Sequence, residues 1–102
     1  MTWQLIVIPE VKDDLDVAAN WYAEQRQDLA LAFIDEVDRT INDLLKSPLT
    51  SRLQNRSKNV RWVYTARFPY RVIYQVLEAK SLVIIIAITH CARSNRSWRN
   101  RA

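Results

Sequence analysis

VRWVYTARFPYRVIYQVLEAKSLVIIIAIT, from Val60 to Thr89, decides the fold. Three runs rich in β-branched and aromatic residues, Val60 to Thr65, Tyr70 to Leu77 and Leu82 to Thr89, are separated by the short connections ARFP and EAKS. Such residues favour strands, and such short links join neighbouring strands, so the three runs are expected to form an antiparallel meander. The last run is apolar on both faces, which places it inside the sheet.

Upstream, Leu49 to Asn59 is polar, basic and without period, and reads as a loop after the Ser47-Pro48 break. Before that break, Asp28 to Lys46 sets Ala30, Phe33, Ile34, Val37, Ile41, Leu44 and Leu45 at helical spacing on one face. Asp35, Glu36, Asp38, Arg39, Asn42 and Asp43 take the other face. Pro9 to Gln25 reads as a second helix, with Val11, Leu15, Ala18, Ala19 and Tyr22 on one side. Proline suits the first helical position, and Glu10, Asp13 and Asp14 suit the positive end of the helix dipole. So few residues separate the two helices that they form an antiparallel hairpin. WQLIVI, from Trp3 to Ile8, is short and apolar, as a buried strand would be, and Pro9 stops it.

The expected fold class is therefore α+β, with the order β-α-α-β-β-β. A helical hairpin packs on one face of a small, mainly antiparallel four-stranded sheet. One domain covers residues 1–102, with an acidic hairpin at about 9–46 and a basic sheet and tail at about 60–102. A content of 49% hydrophobic residues is ample for one core of that size.

Composition excludes several function classes. The chain has no glycine, hence no glycine-rich phosphate loop or dinucleotide fingerprint. One cysteine, Cys91, and one histidine, His90, rule out an internal disulfide and make a zinc site unexpected, so neither metal nor cofactor is expected. The longest apolar run, Leu82 to Ile88, is too short to span a membrane, and no basic leader precedes Trp3. The expected setting is cytoplasmic, with no membrane partner.

Charge is divided along the chain. Residues 1–47 hold four basic side chains and ten acidic ones, or −6; residues 48–102 hold eleven basic ones and one acidic, or +10. An asymmetry of that size points to an acidic or polyanionic partner. Alternation within strands puts Arg61 opposite in direction to Trp62 and Tyr64, and Arg71 opposite to Val72, Tyr74 and Val76. If the helices cover the Trp62 and Tyr74 sides, Arg61 and Arg71 share the open face. His90, just past the last strand, is placed to shuttle protons or to serve as a structural hydrogen-bonding group. Trp98 lies among Arg93, Arg96, Arg99 and Arg101. It serves either as a stacking platform for a base or as an anchor that folds the tail back on the sheet.

Together these features resemble the RelE/ParE superfamily of toxins from type II toxin-antitoxin systems, over nearly the whole chain. The resemblance rests on the opening strand with Pro9, the acidic hairpin, Val60-Arg61, FPYRVIY from Phe68 to Tyr74, and a closing motif. In ParE-like, plasmid-stabilisation members that motif commonly reads His-x-x-Arg-x-Pro-x-Tyr-Trp-x-x-Arg, matched here by His90, Arg93, Trp98 and Arg101. Asn95 stands in place of the proline, Ser97 in place of the tyrosine, and Ser51 in place of a common glycine.

The resemblance implies a toxin neutralised by a cognate antitoxin, with a toxin-antitoxin hetero-oligomer as a further expectation. The ParE-like branch implies DNA gyrase as target and no catalysis. The RelE-like alternative is a ribosome-dependent mRNA endoribonuclease using His90, Arg61 and Arg71. A further alternative is an inactive toxin fold that binds nucleic acid. The expected partner-binding residues are Arg61, Arg71, Arg93, Arg96, Trp98 and Arg101.

Overall fold

The computed structural model describes residues 2–102, except for the side chain of Ser97. In chain order the elements are strand β1 (Gln4–Val7), helices α1 (Pro9–Gln25) and α2 (Gln27–Lys46), and strands β2 (Leu53–Asn55), β3 (Val60–Tyr64), β4 (Tyr70–Leu77) and β5 (Leu82–His90). Short 3₁₀ turns follow at Asn95–Ser97 and Arg99–Arg101. The architecture is α+β, two helices on a mixed sheet ordered β1-β5-β4-β3-β2. β1 runs parallel to β5 and the remaining pairs are antiparallel.

The sheet has five strands rather than four, because Leu53–Asn55 pairs with β3 inside the stretch read as a loop. Three residues are too few to display a period, so the pairing leaves no mark on the hydrophobic pattern. Two turns need left-handed backbone in a chain without glycine, and Asn59 (φ 55°) and Ser81 (φ 50°) supply it. β5 runs on through His90, one residue beyond expectation, and lies inside the sheet as expected.

β1 differs more. It is the sheet's edge and is exposed along its whole length, with Leu5, Ile6 and Val7 at 40%, 48% and 47% accessibility, instead of being buried. The hairpin packs on the inner strands and stops short of this edge.

α1 begins on Pro9 at its first turn, and a single extended residue, Arg26, joins it to α2. The buried face of α2, led by Phe33, Val37 and Leu44, meets Val72, Tyr74 and Val76 of β4 and Val83 and Ile85 of β5. Tyr22, Phe33, Phe68 and Tyr70 form one aromatic cluster, with ring centroids 4.9 to 6.2 Å apart. Edge-on and tilted aromatic pairs of this kind add about 0.5–1.5 kcal/mol each beyond area burial.

The other face of the sheet carries a second core of Val60, Ile73, Ile86 and Ala87, closed by Trp98 from the tail. Between the pairs Ile73↔Ala87 and Tyr74↔Ile85 the register slips, so β5 carries one extra residue there.

Candidate functional site

β3 and β4 fix where the two arginines go. Arg61 lies opposite Tyr74, and Trp62 opposite Ile73. Directly opposed residues share a face, so Arg61 is on the helix side and Arg71 on the tail side. The expectation that they share the open face is therefore overturned. Alternation within each strand was read correctly, and Tyr74 does face the helices, but the phase between strands was not.

Arg71 is 6% exposed. Its Nε–H donates to Thr89 Oγ1 at 3.2 Å, and its Nη2 donates to the Arg93 carbonyl at 3.3 Å and to Asn95 Oδ1 at 2.9 Å. The guanidinium also lies 4.3 Å from the centroid of the Trp62 ring. It is a strut that holds the tail on the sheet. Asn95 gives it a side-chain acceptor. Trp98 completes the closure at 5% exposure, its ring 6.0 Å from Trp62 and edge-on to it. Of the two roles read for Trp98, the structure has the anchor.

Arg61 performs a similar task at the far edge. Its Nη1 donates to the carbonyls of Leu49 (3.0 Å) and Ser51 (2.5 Å), and its Nε to Asn59 Oδ1 (3.1 Å), pinning the segment after α2. Tyr74 pins the same segment through its hydroxyl, which donates to the Pro48 carbonyl at 2.8 Å.

His90 is on the helix side, opposite Tyr70, with the two rings 5.3 Å apart. Its Nδ1 accepts from the Ala92 amide at 3.0 Å, so in the neutral ring Nε2 carries the proton. Tyr70, His90 and Arg93 line one groove with Asp13, Asp14, Val17 and Ala18 of α1. Burial pushes the Tyr70 phenol above the ordinary 10.0, partly opposed by the positive charge of Arg93. That phenol is a poor base at neutral pH.

Arg101 does not project as a free cation. Its guanidinium forks onto Asp14, with Nη1 to Oδ2 at 2.6 Å and Nη2 to Oδ1 at 3.2 Å, and donates to the Ile86 carbonyl at 3.0 Å. Asp14 Oδ2 also accepts from the Ile88 amide at 3.1 Å. Asp14 and Arg101 thus satisfy the edge of β5 where β1 has ended. In the sequence Asp14 stands out only as a helix-dipole residue, since no periodicity marks a partner so distant along the chain. Of the expected partner-binding residues, Arg93 and Arg96 are exposed, whereas Arg61, Arg71, Trp98 and Arg101 hold the fold. Among the described residues there is no cluster of three His, Cys, Asp or Glu able to hold a metal, and no helix long and apolar enough to cross a membrane.

Residues 5–95 match the model of a family described as the ParE toxin of the type II toxin-antitoxin system parDE. The chain belongs to the ParE toxin family. Solved structures agree in fold. A chain of the chromosomal ParDE system from P. aeruginosa is 16% identical to this ParE-family chain with TM-score 0.74, over 87% of this chain and 96% of that one. A mutant of E. coli toxin RelE in the free state is 18% identical with TM-score 0.67, over 96% and 94%. A chain of the intact E. coli RelBE toxin-antitoxin complex is 17% identical with TM-score 0.63, over 90% and 100%. No curated protein matches the sequence significantly. In this ParE-family toxin the closing motif serves both faces of the sheet: His90 joins the helix-side groove, while Trp98 closes the core on the other face.

Proposed function

We propose that this ParE-family toxin arrests growth by binding a protein target, DNA gyrase, without cleaving RNA, and that a cognate antitoxin neutralises it. The observation that carries this reading is the dispersal of His90, Arg61 and Arg71. Metal-free cleavage of RNA needs a base, an acid and cations around one phosphate. Here Arg71 lies beneath the tail, Arg61 is bonded at the far edge, and His90 lies in a separate groove with Tyr70 and Arg93, so the three do not converge on one phosphate. The fold does offer a protein partner apolar surface: Leu5, Ile6 and Val7 on β1, and Val17 and Trp21 on α1, are all exposed. Large exposed apolar side chains of this kind suit protein interaction sites. Arg93, at the groove beside Val17, adds a positive contact for an acidic antitoxin segment.

The test is to induce the toxin alone, map mRNA 5′ ends, and assay DNA breaks and plasmid supercoiling in the same culture. Growth arrest with gyrase-linked breaks and intact transcripts is expected, and His90→Ala should leave the arrest unchanged. Codon-spaced transcript ends that vanish in His90→Ala would make the chain an endoribonuclease instead.

A further inference from the structure

We propose that the face built by β2, β3 and the C-terminal tail is a separate binding surface for the phosphate backbone of nucleic acid. At the outer edge of the sheet, Arg52 and Gln54 flank Leu53, which lies opposite Arg61 just before the register of β2 shifts. There they line a shallow hollow with Trp62 and Tyr64. Trp62 in turn touches Trp98 of the tail, and Lys58 Nζ donates to the Ala102 carbonyl at 3.3 Å, so the tail ends against the turn between β2 and β3. The hollow, the adjoining turn and the tail thus bring Arg52, Arg56, Lys58, Arg96 and Arg99 to one end of the sheet, all exposed and none in an ion pair among the described residues. The one carboxylate of residues 48–102, Glu78, accepts from Asn59 Nδ2 at 3.0 Å.

Two features select a polyanion over an acidic protein. Protein interfaces take their affinity from a core of buried apolar and aromatic side chains. On this face the aliphatic material is already spent: Val60, Ile73, Ile86, Ala87 and Trp98 are buried, Tyr64 is left as an isolated exposed ring, and Leu5, Ile6, Val7, Val17, Trp21 and Leu31 are exposed on β1 and the helices. Nucleic-acid binding instead rests on releasing counterions from phosphates, for which fixed cations suffice. They are fixed here, since Trp98, Arg71 and Arg101 hold the tail that bears Arg96 and Arg99, which lowers the ordering cost of binding. Tyr64, exposed at the hollow, is free to stack on an unpaired base.

The experiment measures binding of the full chain to a labelled duplex of about 20 base pairs, and to one of its strands, by fluorescence anisotropy between about 50 and about 200 mM salt. With five cations engaged, log K against log salt should fall with slope about −4.5 for the duplex, and less steeply for the strand. The set Arg52→Glu, Arg56→Glu, Arg96→Glu and Arg99→Glu should weaken both by about a hundredfold or more with unchanged circular dichroism. The corresponding glutamine set, gentler on the fold, should give a smaller loss in the same direction. Tyr64→Ala should weaken strand binding alone. Binding to neither probe, a flat salt dependence, or full affinity in the glutamate set would overturn the proposal. So would loss of antitoxin binding in that set, since the face would then belong to the protein partner. None of these results bears on gyrase inhibition, which is read from DNA breaks.

Discussion

Arg71 donates to Thr89, to the Arg93 carbonyl and to Asn95 while lying over Trp62, so four contacts converge on one buried guanidinium. A lysine keeps the charge but not the planar fork. Arg71→Lys should cost about 2–3 kcal/mol of stability, read by urea unfolding, and trypsin should then cut the loosened tail faster. A second prediction concerns alkaline pH. Burial raises the phenols of Tyr22, Tyr70 and Tyr74 above 10.0. The unfolded chain loses these protons first, so stability is level below about pH 10 and falls as pH rises through the folded-state values. Melting temperature followed past pH 10 should decline accordingly, and Tyr70→Phe should flatten part of the decline. At this scale the sequence was legible only along each strand. Arg61 and Arg71 were each given correct alternation, but the pairing of β3 with β4 sets their relative phase, and a one-residue change in pairing reverses it.

Both helices were legible because their apolar residues recur every three or four positions and proline marks the start of one and the end of the other. β1 was legible as a strand but not as an edge. LIV is equally apolar in a buried strand and in one awaiting a partner, and which applies depends on how far the hairpin reaches across the sheet. β2 was not legible at all, since LQN carries no pattern. The groove was partly legible: His90 and Arg93 were singled out, while Asp13, Asp14 and Tyr70 come to them from other elements through the fold. If β1 docks the antitoxin, Ile6→Lys should weaken that complex by about tenfold in calorimetry, because a charge replaces an exposed apolar contact on the strand. The melting temperature should scarcely move, since Ile6 is half exposed already.

Across the whole molecule the two charged halves stay largely apart. Of the four ion pairs among the described residues, three lie within the helical half and only Arg101–Asp14 joins one half to the other. The two halves therefore do little to neutralise each other, and the asymmetry should be visible as salt dependence in binding. Arg93→Glu is expected to lower antitoxin affinity by about tenfold near physiological salt, with the deficit shrinking at high salt; equal affinity by calorimetry would remove Arg93 from the interface. The same long-range joint has a kinetic side. Asp14 meets Ile88 and Arg101 across 74 and 87 positions of chain, and β1 finds β5 across a similar gap. Contacts so distant cost loop-closure entropy before they return any energy, which slows folding relative to a helical bundle of the same size. Whenever β1 is undocked the strand edge of β5 stands bare, and a bare edge is a template on which a second copy can pair.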